Sequence, residues 1–263
     1  MNLQLNGKTA LVTGSTAGIG FAIAQALANE GASVIVNGRT DRRVDAALKK
    51  IHNSGQGKLQ GVVADLGTAD GVRRVIERFP QLDILVNNLG IYEPKQFEQI
   101  SDDDWLRFFE VNVLSGVRLS RHYLPGMKER NWGRIVFISS ESAVQIPPEM
   151  IHYGMTKTAQ LAISRGLAET TAGTNVTVNT VLAGPTASEG VIDFVRRLAQ
   201  DQKTDMATVE NEMFRSVCPT SLLKRFATPE EVAALVVFVC SPLSSATNGA
   251  ALRADGGVVR SIL

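Results

Sequence analysis

A phenol and an amine four residues apart, Tyr153 and Lys157 in the stretch Tyr-Gly-Met-Thr-Lys, are the side chains best placed to do chemistry together. On a helix that spacing puts both on one face, about one turn apart. An ammonium held near a phenol favours the phenolate and lowers a pKa that otherwise sits near ~10. A tyrosine tuned in this way moves protons at neutral pH, whereas the same pair on a solvated helix surface is inert. Ser140 comes earlier, just past a β-prone run from Gly133 to Ile138. Alone it reads as a strand-end hydroxyl capping its neighbour; the Tyr–Lys pair thirteen residues later shifts the weight towards a functional hydroxyl at the rim where open α/β sheets bind ligands.

A second group of residues suits an anion. Gly14-Ser15-Thr16-Ala17-Gly18-Ile19-Gly20 follows the β-prone run Thr9 to Thr13 and precedes the helix-forming stretch Phe21 to Asn29. Strand, glycine turn and helix in that order let a backbone approach a pyrophosphate and offer it free helix N–H groups. The spacing is G-x-x-x-G-x-G rather than G-x-G-x-x-G, and a turn of purely structural meaning has the same composition. The next β-prone run, Ala32 to Val36, ends in Asn37-Gly38-Arg39-Thr40, where a dinucleotide fold places the adenosine ribose. An acid there would bind a 2′-hydroxyl. Here Gly38 leaves room and Arg39 offers a planar fork suited to a 2′-phosphate, with Arg42 and Arg43 close behind. The alternative is a solvated arginine cluster. The pattern favours NADP(H), with NAD(H) still admitted, and Asp65 after the run Leu59 to Ala64 is placed to meet the adenine edge.

The positioning elements alternate. Leu82 to Val86 reads as a fourth strand, ending in Asn87-Asn88-Leu89-Gly90. Ser101 with Asp104 three residues on starts a helix that runs through Asn112 towards Tyr123, with a break expected near Pro125-Gly126. Pro147-Pro148 leads into the helix carrying Tyr153 and Lys157, and Asn175 to Leu182 is a sixth strand. Between about residues 187 and 220 lies more chain than a connection requires, and Val191 to Ala199 and Met206 to Val217 have helical apolar spacing. The reading is a substrate lid whose apolar face, Val191, Phe194, Val195, Leu198, Met213 and Phe214, closes over the cleft. Thr228-Pro229-Glu230-Glu231 caps a helix that is apolar nearly all round, and Ala250 to Ala254 is a last strand. Such alternation predicts an α/β fold, a Rossmann-like doubly wound parallel sheet of seven strands with helices on both faces, in one domain spanning residues 1–263.

Composition narrows the function classes. The 263 residues are 44% hydrophobic and carry 27 basic against 26 acidic side chains, so no basic footprint for nucleic acid is expected. The longest apolar run, Val232 to Cys240, is far short of the ~20 residues that span a bilayer, and the opening residues lack the pattern of a secretory signal. A cytoplasmic protein is expected. Cys218 and Cys240 match no metal spacing and no two histidines stand at ligand spacing, so no metal is expected.

Taken together, Thr13-Gly14-x-x-x-Gly18-Ile19-Gly20, Asn87-Asn88-Leu89-Gly90, Asn112, Ser140 and Tyr153-x-x-x-Lys157 resemble the short-chain dehydrogenase/reductase family, in its compact single-domain branch, which includes 3-oxoacyl-acyl-carrier-protein reductases. The resemblance implies the sheet order 3-2-1-4-5-6-7. It implies Tyr153 as general acid/base, Lys157 on the nicotinamide ribose, Ser140 on the substrate oxygen, and Asn112 supporting a water-mediated proton path. Cofactor contacts are implied at Gly14, Ser15, Thr16, Gly18, Ile19, Gly20, Arg39, Asp65, Leu66, Asn88, Gly90, Gly184, Thr186 and Ser188, besides Tyr153 and Lys157. It implies interconversion of a ketone and a secondary alcohol, a small-molecule substrate, and a homotetramer or homodimer built on the Thr228 helix and the last strand. Leu89 and Ala183 depart from the family's usual alanine and proline, which puts the shape of the nicotinamide pocket in question.

Overall fold

The computed structural model describes residues 2–51 and 57–262. Its strands are β1 (Thr9–Val12), β2 (Ser33–Gly38), β3 (Leu59–Val63), β4 (Ile84–Asn87), β5 (Gly133–Ser140), β6 (Val176–Ala183) and β7 (Ala251–Ala254). They form one sheet in the order β3-β2-β1-β4-β5-β6-β7, with every neighbouring pair parallel. The expected doubly wound architecture is therefore the observed one.

Period-two alternation sorts the strand side chains onto two faces. Ala10, Val12, Val34, Val36, Ile84, Val86, Val136 and Ile138 pack on one side with α1 (Gly18–Asn29), α2 (Asp41–Lys50) and α9 (Pro229–Cys240). Leu11, Ile35, Leu85, Ile135 and Phe137 face the other way, against α3 (Ala69–Arg78), α5 (Ser115–Glu129) and α6 (Ile151–Glu169). Both faces of the inner strands are buried, which is why their sequences read as continuous apolar runs.

Local signals set several helix starts. Ser101 and Asp104 form a reciprocal capping box at α4 (Asp102–Phe109), and Thr228 and Glu231 form another at α9 with Pro229 in its first turn. The expected break at Pro125 does not occur, since α5 runs through it to Glu129. Leu119, Tyr123, Leu124 and Met127 are buried in the core on both sides of the proline, and the Tyr123 hydroxyl donates to the Phe79 carbonyl at 2.8 Å. Those contacts outweigh the one helical hydrogen bond that proline removes.

The segment read as a lid contains α7 (Glu189–Asp201), α8 (Met206–Glu212) and a π-helical turn, Met213–Val217. Its apolar side chains are divided differently from the expectation. Val195, Ala199, Val209 and Phe214 are buried with Phe226 in a small core of their own, and Phe194 is exposed. Only Val191 of the six reaches the wall of the cleft described below. Two short amphipathic helices joined by a short turn bury more apolar surface against each other than against an open crevice.

Candidate active site

Strand order reverses between β1 and β4, and an open α/β sheet parts into a crevice above the carboxyl ends of its strands at such a point. The glycine turn lies there. Gly14 and Gly18 have φ values of +60° and +55°, a region open chiefly to glycine. A Cβ at Gly20 would lie 2.4 Å from the Asn88 amide and 2.5 Å from the Gly14 carbonyl, so the motif's last glycine is a packing requirement.

Beneath the turn a polar network ties three strands together. Asn37 accepts from the Gly14 N–H and donates to the Val62 and Ala64 carbonyls. Ser15, fully buried, donates from its hydroxyl to the Val12 carbonyl and from its N–H to the Asn37 carbonyl, and its hydroxyl accepts from the Asn37 N–H. Its polar groups thus serve the turn rather than the groove. Thr13 accepts the N–H groups of Asn88 and Leu89, while the Asn88 amide donates to the Thr13 and Gly14 carbonyls. Asn37 was not a sequence candidate; a buried polar residue closing an otherwise apolar strand was the available signal.

A groove of about 310 Å³ runs over the turn, lined by Ala17, Gly18, Ile19, Gly20, Arg43, Asn88, Tyr92, Ser188, Glu189 and Gly190. The N-termini of α1 and α7 both open onto it, and neither Ala17 nor Ser188 makes a side-chain cap. Two sets of first-turn N–H groups converging on one groove fit a pyrophosphate. Ser188 also packs on the turn, since a Cβ at Gly18 would lie 3.2 Å from its Cβ. The adenosine end differs from the expectation. The space beside Gly38 is filled by Thr16 and Val44, which a Cβ would meet at 2.5 and 3.0 Å. Arg39 is exposed, and Arg43 is the arginine that lines the groove. Asp65 is exposed at the end of β3 with one oxygen accepting from the Gly67 N–H, and the Leu66 side chain is in the core.

The groove continues into a cavity of about 270 Å³ lined by Ser140, Tyr153, Lys157, Gly90, Gly184 and Thr186. The sheet and α6 bring these together. Ser139 donates to the Lys157 carbonyl at 2.9 Å, which docks α6 on the end of β5. Asn112, in the π-helical turn Glu110–Leu114, is buried and accepts from the Ile91 N–H; its amide donates to the Ile91 carbonyl and the Thr156 hydroxyl. Thr186 is held between two backbone bonds, Ala187 N–H to Ala227 and Ala227 N–H to Pro185. A Cβ at Gly184 would strike the Asp255 backbone at 2.5 Å. Of the two departures, Leu89 packs against the core beneath the turn, and only Ala183 lines the cavity.

Two electrostatic features depart from the sequence reading. The Lys157 ammonium lies 5.6 Å over the Tyr153 ring and donates to the Ile138 carbonyl at 2.9 Å and to Gln160 at 3.4 Å. Burial lowers its pKa to about 8, opposed by the charge of Glu141. The Tyr153 phenol is pushed above its ordinary range, first by burial and then by Glu141, with the Ser140 hydroxyl pulling the other way. Desolvation therefore wins over the expected lowering. The Gln160 amide donates to the Asn112 carbonyl at 2.7 Å, so Asn112 is held through its backbone as well as its side chain. Gln160 and Glu141 were missed; both follow recognised residues by a short interval and carry no spacing signal of their own.

A family model described as enoyl-(acyl carrier protein) reductase matches residues 14–259. In sequence the chain is similar to the uncharacterized oxidoreductase YvaG of Bacillus subtilis (strain 168), with 51% identity over 100% of both chains. It is also similar to the 3-oxoacyl-[acyl-carrier-protein] reductase FabG of Aquifex aeolicus (strain VF5), with 35% identity over 98% of this chain and 100% of the other. The chain belongs to the short-chain dehydrogenase/reductase family. In structure it is similar to the L-sorbose reductase from Gluconobacter frateurii complexed with NADPH and L-sorbose, with a TM-score of 0.92 and 32% identity over 100% of both chains. As a short-chain dehydrogenase/reductase it is an NAD(P)-dependent oxidoreductase acting on alcohol and carbonyl groups. Among the described residues no helix is long and apolar enough to cross a membrane, and no group of three or more histidine, cysteine, aspartate or glutamate side chains could hold a metal ion.

Proposed function

We propose that this short-chain dehydrogenase/reductase is an NADP(H)-preferring enzyme interconverting a small ketone and its secondary alcohol, with Tyr153 as general acid/base. The observation that carries it is the meeting of Ser140, Tyr153 and Lys157 in one cavity at the end of a groove suited to a dinucleotide. The cofactor supplies a hydride when bound; the chain's own task is to orient the carbonyl and to protonate its oxygen. Ser140 holds that oxygen and Tyr153 delivers the proton. A phenol that keeps its proton through neutral pH suits the reductive direction. Lys157 would meet the nicotinamide ribose, with Gly90 and Thr186 beside it on the same wall. A panel of carbonyl compounds with NADPH consumption as readout tests the reading; no turnover with any of them overturns it. Full-length similarity to the Aquifex aeolicus enzyme favours 3-oxoacyl-acyl-carrier-protein reduction as the second reading, and the panel separates the two by including a 3-oxoacyl thioester.

The NADP(H) preference is supported by Arg43 on the groove and Arg39 beside it, with no acid at position 38. Arg43→Ala and Arg39→Ala are each expected to raise the KM for NADPH by about tenfold and to leave that for NADH nearly unchanged, since a charge-assisted bond to phosphate contributes about 1.5 kcal/mol or more. Steady-state kinetics with both cofactors checks this, and equal losses for the two sink the assignment.

Residues 187–220 act as a lid in this reading, with α7 and α8 moving as one unit because they share a core. Hydrogen exchange is expected to slow there on binding NADPH, and little in α9; protection equal to that of α9 without cofactor makes the segment a fixed wall. Exposed Leu106, Phe109 and Phe238 support a homotetramer, or a homodimer, a quantity light scattering reads directly. The two free thiols accord with a cytoplasmic protein.

A further inference from the structure

The Ser140 hydroxyl has one proton, and its oxygen faces the carboxyl of Glu141. Ser140 Oγ lies 2.5 Å from Glu141 Oε2 and accepts from the Ser142 N–H at 3.1 Å. Glu141 lines the reaction cavity and also an adjoining cavity of about 490 Å³, so its carboxyl stands where the two meet. Were Glu141 ionised it would be an acceptor only, and the Ser140 proton would be held on it. With Ser140 bound as donor to Glu141, no proton would be left to give to a carbonyl oxygen. A protonated Glu141 reverses the bond: its O–H donates to Ser140 Oγ, and the serine proton is freed to point into the cavity.

From this geometry we infer that Glu141 works as a neutral carboxylic acid that donates to Ser140 and thereby turns the serine hydroxyl towards the substrate oxygen. It is a positioning residue, and the role rests on the reductase reading given above. No proton is lost or gained overall, since Glu141 keeps its proton on one oxygen throughout and Ser140 lends its own as a hydrogen bond. The surroundings accord with the neutral form. Burial raises the Glu141 pKa, and the Asp255 carboxylate beyond β7 pushes the same way, against hydrogen bonds from Ser140 and the backbone N–H groups of Glu141 and Ser142. The other titratable groups near it are Tyr153 and Lys157 on α6, Cys218 after the lid helices, and Glu149 in the loop before α6. Of these only Lys157 is cationic, and it is pinned to the Ile138 carbonyl rather than to Glu141.

The test compares Glu141→Gln, Glu141→Ala and the wild type. The glutamine amide donates to Ser140 at every pH, so Glu141→Gln is expected to keep carbonyl reduction within about threefold at neutral pH. It is also expected to lose the fall in kcat/KM that the wild type shows as pH rises through the raised Glu141 pKa. Glu141→Ala, with no donor, is expected to lose about tenfold in kcat with NADPH binding unchanged. A second readout does not depend on turnover: infrared spectroscopy of the wild type at neutral pH is expected to show a buried protonated carboxyl band that Glu141→Gln lacks. A fully ionised Glu141 in that spectrum overturns the proposal, as does a Glu141→Gln enzyme as impaired as Glu141→Ala, or a Glu141→Ala enzyme equal to the wild type. Intact NADPH binding without turnover on any carbonyl would instead sink the reductase reading and leave the infrared result to decide the state of Glu141.

Discussion

Tyr153→Phe is expected to lower kcat for carbonyl reduction by about 10²- to 10⁴-fold, the range that a positioned general acid contributes. The effect should fall on chemistry alone. The Tyr153 ring keeps its edge-on contact with Tyr92 at 6.4 Å and its place under the Lys157 ammonium, so the phenylalanine has the same packing and lacks only the proton. NADPH affinity, measured by fluorescence titration, is expected to change by less than about threefold, because the groove over the glycine turn does not include position 153. An unaltered kcat would remove Tyr153 from the mechanism, and a lost NADPH affinity would make it a binding residue instead.

The largest effect on stability is expected far from this site, at Arg134 in the first half of β5. Its side chain is 1% exposed, and its guanidinium donates to the carbonyls of Gly133, Asn175 and Ser241 while lying 4.7 Å over the Trp132 ring. It thus ties the starts of β5 and β6 to the end of α9, at the edge of the sheet opposite the cavity. Burial lowers its pKa without making it neutral under ordinary conditions, so the site must keep a charge satisfied by carbonyls and a π face. Arg134→Ala leaves three carbonyls without that partner and a void in the core, a loss of about 3 kcal/mol. In a chain of this length that corresponds to a Tm lower by roughly 6–12 °C. Arg134→Lys recovers only part of it, since an ammonium lacks the planar fork. Calorimetry of the three proteins checks the order, and a Tm within about 2 °C of wild type for Arg134→Ala would show that the clamp contributes little.

The positions that declare themselves in one dimension are those whose chemistry is tied to a fixed spacing. Tyr153 and Lys157 share a helix face by period, the glycines of the turn are required by backbone shape, and each strand and capped helix carries its own local signal. From these the parallel sheet and the place of the cavity were legible in the chain, while the strand order followed from the family resemblance. What the sequence left open depends on which residues meet across elements. Glu141 is the sequence neighbour of Ser140, but its burial and its nearness to Tyr153 arise only because β5 ends where α6 docks. Gln160 reaches the Asn112 carbonyl from another helix. Arg43 rather than Arg39 lines the groove because α2 starts immediately after the turn and carries its first residues over the crevice. The Tyr153 pKa followed the same division: spacing alone promised a lowering by Lys157, but desolvation is a property of the whole surrounding shell and has no signature in a four-residue interval. The lid residues likewise show their amphipathic period in the sequence, while their partner, each other rather than the cleft, was settled only when α7, α8 and Phe226 came together.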